Sequence, residues 1–407
     1  MTTQTAVTEP GVRADERGFA LLSPEGVSYR VDLVGSVLDP ENPALADHCE
    51  GRRTVAFLGP TVDRLYGERI RRYLDARLAP GSWTVVPIGG GEHHKTMDAV
   101  ETICARAKAA GLDRRGVMLA FGGGVTCDLV GFAAAIYNRG VRYIKVNTTL
   151  VGQVDVGVGV KTGVNALGTK NMLGAYHPAH ASLNDPAFLT TLPDRQIRCG
   201  MGEIAKMAII RDERLFRVLE ECPEVFRRPV DEPGWLAGAS GGRGVEDYVL
   251  RTSMALMMEE LCPNLREHDL ARLVDFGHTF GPVIETASDY RVAHGESVAV
   301  DMAISSELAR VMGLISPEDC ERIVRLIASL DLPVYDPGTC TPELMGRALR
   351  ASWERRGRRL HLVVPDGIGT AVFVDDLEDI PATALEEALD ALAVRPAPAV
   401  PAAPVSR

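Results

Sequence analysis

Short apolar runs and helical spacings take turns along the first half of the chain. Residues 54–58 (TVAFL), 83–87 (WTVVP), 116–121 (GVMLAF) and 143–146 read as strands. Between them, 66–78, 98–110 and 125–136 place apolar residues at helical spacing. Alternating strand and helix predict an α/β domain with a parallel sheet covered on both faces. We place it at 17–185. After about residue 185 the texture changes. Residues 200–210, 212–220, 246–260, 268–286, 294–312 and 317–329 carry long helical patterns, so 186–394 reads as an all-α domain. One exception is a small hairpin, 360–364 with 370–374, around Pro365-Asp366-Gly367. Residues 1–16 read as a disordered leader, 229–245 as a surface loop, and the Pro- and Ala-rich 395–407 as a disordered tail.

Composition narrows the function classes. The 407 residues are 46% hydrophobic and 24% charged, ordinary for a globular protein. A net charge of -11 argues against general affinity for nucleic acid or an anionic membrane. It leaves room for a local cationic pocket. No apolar run has the length of a membrane span, and the polar start is no signal peptide. None of the eight cysteines forms a C-x-x-C pair, which fits reduced thiols in a cytoplasmic protein.

Three groupings carry candidate chemistry. Gly122, Gly123, Gly124 and Val125 follow a buried strand and open a helix. Such a turn lets a pyrophosphate approach the backbone, and the helix N-terminus offers free N–H groups. A tight strand-to-helix turn explains it equally well. Glu203, His278 and His294 offer one carboxylate and two imidazoles, a donor set suited to catalytic zinc. Core or capping histidines are the competing reading. Arg139, Asp155, Lys161, Lys170, Asn171 and Lys206 could receive a phosphorylated substrate or simply form a solvated face. His93, His94, His177 and His180 read as cleft-lining or surface residues.

Taken together these stretches resemble the dehydroquinate synthase superfamily of sugar phosphate cyclases. The resemblance spans about residues 54–375. It rests on GGGVTCDLVGFAA (122–134), NTTLVGQVDVGVGVKTGVN (147–165), KNMLGAYHP (170–178), FLTTLPDRQIRCGMGEIAK (188–206), DFGHTFGPVIE (275–285) and HGESVAV (294–300). It implies a Rossmann-like NAD-binding domain, a helical metal domain and an active site in the cleft between them. NAD would be held by Glu92, Lys95, Gly123, Gly124, Val125, Asp128, Thr148, Thr149 and Lys170, with Phe188 and Thr191 beside the nicotinamide. Asp128, Asp155, Lys161, Asn171 and Lys206 would bind substrate, and Arg139 its phosphate. Glu203, His278 and His294 would bind Zn2+ or Co2+. A homodimer is also implied. Gly59 and Thr61 stand where the family often has Asp and Asn near the adenosine ribose.

Departures from the family pattern bear on the substrate. Asp275 replaces an Asn, Pro282 a His, Met257 a Lys and His361 a Lys; Ala271 stands where an Arg is expected, with Arg272 one place on. Losing groups that would pair a carboxylate predicts a substrate without one. Asp275 and His361 would instead meet hydroxyls. The pattern resembles the branch that cyclises sedoheptulose 7-phosphate to 2-epi-5-epi-valiolone. The implied reaction oxidises the sugar transiently with NAD, eliminates phosphate and closes the ring by an aldol step, with no net redox change. Competing expectations are a 2-epi-valiolone, desmethyl-4-deoxygadusol or 3-dehydroquinate synthase, a metal-dependent polyol dehydrogenase, and a non-catalytic binding protein.

Overall fold

The computed structural model describes residues 9–226, 244–396 and 398. Two compact units emerge. Among the described residues the first runs to Leu192 and takes in Gly244 and Leu261–Arg266; the second holds the rest from Pro193 onward. The division expected at 185/186 thus falls later in the chain, after a short 3-10 turn, Pro186–Thr191.

An eight-stranded sheet organises the first unit. Its strands are β1 (Gly11–Asp15), β2 (Gly18–Leu22), β3 (Ser28–Leu33), β4 (Thr54–Leu58), β5 (Trp83–Pro87), β6 (Val117–Gly122), β7 (Arg142–Asn147) and β10 (Ala181–Asn184), in spatial order β1-β2-β3-β10-β7-β6-β4-β5. Pairing is parallel from β3 to β5 and antiparallel among β1, β2 and β3. Helices α1 (Pro60–Arg77), α2 (Met97–Ala109) and α3 (Gly124–Ile136) connect the parallel strands. Side chains of β6 alternate between two cores. Leu119 and Phe121 pack with Ile70 and Leu74 of α1, whereas Met118 and Ala120 pack with Ile103 of α2 and Val130 of α3. Burial on both faces explains the unbroken apolar runs of these strands.

While residues 1–8 lie outside the described residues, the disordered-leader expectation is corrected for Gly11–Asp15, an ordered edge strand paired with β2. Its sequence hid this: an edge strand exposes polar residues, and Asp15 is anchored by Arg30 at 2.9 Å rather than by apolar packing. A second sheet, β8 (Lys161–Ala166) with β9 (Thr169–Tyr176), is an antiparallel hairpin packed on α3.

The second unit is helical. It contains α4 (Asp194–Arg211), α5 (Glu213–Glu221), α6 (Val245–Leu261), α7 (Gly281–Ala287), α8 (His294–Val311), α9 (Pro317–Ser329), α10 (Pro342–Arg355) and α11 (Ala384–Ala393). The expected hairpin is present as β11 (Leu362–Gly367) and β12 (Thr370–Val374). Helix α8 is buried along 295–309, with α4, α7, α9, α11 and β11 against it. A helix covered on all sides needs no polar stripe.

Two expectations change. The helix predicted over 268–286 is mostly irregular, with one 3-10 turn, Leu273–Asp275, before α7. Gly277 breaks it: its φ is +79°, and an added Cβ would lie 2.7 Å from Val298 Cγ1. Arg395, the first residue of the expected disordered tail, is held in place, pairing with Glu307 at 2.7 Å and Glu321 at 2.6 Å; most of the rest of that tail lies outside the described residues. Most of the loop expected at 229–245 lies outside the described residues.

Candidate metal and cofactor sites

Close helix packing builds the metal cluster. Helices α4 and α8 cross where both are glycine. A Cβ on Gly202 would sit 2.7 Å from the Gly295 carbonyl oxygen, and one on Gly295 only 2.2 Å from that of Cys199. The approach sets Glu203 of α4 beside His294, the first residue of α8. His278 arrives on the irregular segment after Gly277. Asp301 of α8 steadies that segment by accepting the N–H groups of Phe280 (2.5 Å) and Gly281 (2.8 Å).

One ligand atom from each of Glu203, His278 and His294 lies within 4.8 Å of the others. Glu203 is 1% exposed. Lys206 Nζ stands 2.6 Å from one carboxylate oxygen and His294 Nε2 3.2 Å from the other. Neither oxygen, though, has a well-directed hydrogen bond. Lys206 thus offsets the charge, while lone pairs without a directed hydrogen bond stay available to a metal ion. Burial works to raise its pKa, but Lys206 and the two imidazoles outweigh burial and hold it well below the usual range. His278 is pushed down to about 3, first by burial and then by Lys206, so its ring is neutral and able to ligate.

The outer contacts orient both rings. His278 Nδ1 faces the Phe276 carbonyl at 3.1 Å, an acceptor only, so Nδ1 carries the proton and Nε2 has the lone pair. His294 Nδ1 lies 2.7 Å from Glu285, which also accepts from Ser297 Oγ at 3.1 Å. A carboxylate behind a histidine is the usual support of a zinc ligand. The donor set and its supports fit Zn2+ or Co2+. Sequence reading missed Glu285 and Asp301, because a buried acid inside a helical pattern carries no sign of what it supports.

Beside this cluster, Asp275 is clasped by two guanidiniums, Arg272 and Arg356, the latter at 2.7 Å. The other residue assigned to substrate hydroxyls, His361, bonds Asp375 through Nδ1 at 2.7 Å. Arg272, one place on from the replaced Arg, turns onto Asp275, and Arg356, far away in sequence, joins it. Met257 is buried, and Pro282 opens α7.

The first unit gathers most of the expected cofactor residues at the C-terminal ends of its parallel strands, the usual ligand edge of such sheets. Gly123 and Gly124 lead into α3; a Cβ on Gly123 would meet Thr149 at 2.8 Å. Val125 lies in that first turn, and the Thr148 N–H bonds the Gly122 carbonyl at 3.0 Å. Lys95 Nζ reaches Asp128 at 2.5 Å and Asn171 at 2.6 Å. Asn165 links this group. It donates to Glu92 at 2.9 Å, accepts from the Asn171 N–H at 2.9 Å, and bonds the Lys95 carbonyl through its own N–H at 2.8 Å. Although it ends a quoted motif, Asn165 was not singled out, since an amide's partners lie far off in sequence.

Asp155 rides on a wide turn, Gly152–Val156. Buried Lys145 pins it by donating to the carbonyls of Val156 (2.6 Å) and Gly159 (2.7 Å). Lys161 opens β8 and Lys170 lies in β9. Phe188 packs edge-on against Tyr66 at 4.9 Å, and Thr191 Oγ1 meets the Tyr66 hydroxyl at 2.7 Å. Arg139 lies at the other end of α3 from the glycine turn. It follows α3 at a φ of +67°, about 20 Å along the helix from the glycine turn at ~1.5 Å per residue.

Comparison with known proteins adds to this geometry. Residues 85–199 match the pattern described as 3-dehydroquinate synthase N-terminal, and 200–350 its C-terminal counterpart. A 2-epi-5-epi-valiolone synthase of Streptomyces glaucescens is 66% identical over 97% of this chain and 98% of its own length. A 3-dehydroquinate synthase of Synechococcus sp. (strain CC9605) is 38% identical over 80% of this chain and 85% of its own. Among solved structures, the 2-epi-5-epi-valiolone synthase of Streptomyces hygroscopicus subsp. jinggangensis 5008, with NAD+ and Zn2+ bound, superposes with a TM-score of 0.82. It is 40% identical and the match covers 91% of this chain and 98% of that one.

Proposed function

Because this chain belongs to the 3-dehydroquinate synthase family of sugar phosphate cyclases, we propose that it cyclises sedoheptulose 7-phosphate to 2-epi-5-epi-valiolone and releases phosphate. The observation that carries the reading is the 66% identity, spread over nearly the whole chain, to an enzyme of that name. The donor cluster Glu203, His278 and His294 supports it.

NAD, when bound, would supply reversible hydride uptake, and Zn2+ or Co2+ would polarise the sugar oxygens. Glu203, His278 and His294 would hold the metal. Glu92, Lys95, Lys170, Thr148, Thr149 and the turn from Gly123 to Val125 would seat the dinucleotide, with Phe188 and Thr191 at the nicotinamide. Lys161 would orient the phosphate, and Asp128, Asp155, Asn171 and Lys206 the hydroxyls. Lys206 is poised to compensate negative charge beside Glu203. Arg139, at the far end of α3 from the glycine turn, would reach the phosphate of a second copy, and the assembly we propose is a homodimer. No helix among the described residues is long and apolar enough to cross a membrane. A cytoplasmic site accords with eight cysteines that all carry free thiols.

The test is incubation with NAD, Zn2+ or Co2+ and sedoheptulose 7-phosphate, following phosphate and the product's NMR spectrum. Stoichiometric phosphate, no net NADH and a valiolone-type ketone are expected. Phosphate release only from a carboxylated heptulose phosphate would replace this reading with dehydroquinate synthesis. NADH accumulation without phosphate would indicate a polyol dehydrogenase.

A further inference from the structure

Two guanidiniums converge on the Asp275 carboxylate. Arg272 bonds one oxygen, and Arg356 Nη2 bonds the other at 2.7 Å. The three side chains are 10%, 15% and 14% exposed for Asp275, Arg272 and Arg356. Arg272 also faces Glu267. Arg356 donates its other nitrogen, Nη1, to the carbonyls of Leu360 (2.8 Å) and His361 (2.9 Å), so its planar fork is fixed in place. Two fixed forks meeting at one point form the arrangement that recognises a carboxylate. The site also adjoins the metal-type cluster: the Asp275 carbonyl accepts the N–H of His278 at 2.9 Å.

We infer that Arg272 and Arg356 form a carboxylate receptor that the chain fills with its own Asp275, so that heptulose phosphates bearing a carboxylate are excluded. The pocket does not lack cations; it holds them with their counter-ion already in place. An incoming carboxylate would meet Asp275 as a like charge and would have to shed its water without gaining a guanidinium. The uncharged end of a sugar loses nothing there. The substrate side of this inference rests on the proposed cyclase reading; the receptor itself does not.

The test uses the full-length protein loaded with NAD and Zn2+, together with its Asp275→Ala and Asp275→Asn variants. Thermal melting is followed with formate or acetate, and with chloride at equal ionic strength. Formate should raise the melting temperature of Asp275→Ala and leave the parent unmoved. Turnover of sedoheptulose 7-phosphate should fall by at least about tenfold in Asp275→Ala and recover in part with formate. Asp275→Asn should bind a carboxylated heptulose phosphate about tenfold more tightly than the parent does. A folded Asp275→Ala variant indifferent to formate overturns the inference. Should neither variant fold, the parent alone decides: it must bind the carboxylated sugar phosphate more weakly than the uncharged one, and equal binding overturns the proposal. If the parent ignores sedoheptulose 7-phosphate while formate still stabilises Asp275→Ala, the cyclase reading falls and the receptor stands.

Discussion

Glu285 is not one of the three ligand-type residues, yet its carboxylate fixes the His294 ring 2.7 Å away. Removing that charge weakens the imidazole as a donor. Glu285→Gln is therefore expected to cost about 10–100-fold in zinc affinity, measured by chelator competition, while NAD affinity stays constant. Unchanged zinc affinity would reduce Glu285 to a packing residue. A second residue-scale prediction concerns pH. Burial, then Arg142 (2.8 Å away), His48 and Arg52, depress His180 to about 4. Between that value and the ordinary 6.5 the unfolded chain binds a proton that the folded one does not, so stability is lost as pH falls through this window. His180→Asn should flatten the pH dependence of the melting temperature between pH 6.5 and 4. An unaltered slope would place the titration elsewhere.

At the scale of elements, the crossing of α4 and α8 decides whether the donors meet at all. Gly295→Ala puts a methyl against the Cys199 backbone, which cannot swing aside as a side chain can. We expect a stability loss of about 1–3 kcal/mol from overpacking. Zinc content should fall too, since separating the helices moves Glu203 from His294. Full zinc occupancy in a folded Gly295→Ala protein would contradict this account. In the first unit the hub is Asn165, which ties the short 3-10 turn of Glu92 to β9 through Asn171. Asn165→Ala should weaken NAD binding, read by fluorescence titration, without altering zinc affinity.

For the whole molecule, two ligand sets lie on two compact units: dinucleotide residues on the first, metal donors on the second. A ligand that binds only the folded state stabilises by mass action, about 2.7 kcal/mol at a hundred times its Kd. Hydrogen exchange should therefore show NAD protecting β6, β7 and α3, and Zn2+ protecting α4 and α8. Chelation should reverse only the second effect. Equal protection of both units by either ligand would show that they unfold as one.

What the sequence determined by itself was whatever is written in local periodicity or in an ordered run of motif residues. Strands β4 and β6 were legible because burial on both faces leaves continuous apolar runs. Helix α9 was legible at both ends, since Ser316 caps it and its apolar residues keep helical spacing. Glu203, His278, His294 and the glycine turn were legible as residue types, with the family resemblance choosing among their readings. Tertiary structure decided the rest. The edge strand β1 pairs with a single strand, β2, among the described residues and is largely exposed, so it reads as irregular chain. Helices α10 and α11 had no individual bounds within the expected all-α stretch, and the helix expected over 268–286 broke at Gly277, which has a left-handed φ and lies so close to α8 that a Cβ would meet Val298. Above all, Arg356 lies 2.7 Å from Asp275 although 81 residues separate them. No periodicity encodes such a pairing. It exists because the fold brings the residue that caps the end of α10 against the segment before His278, where a largely buried carboxylate requires a cation.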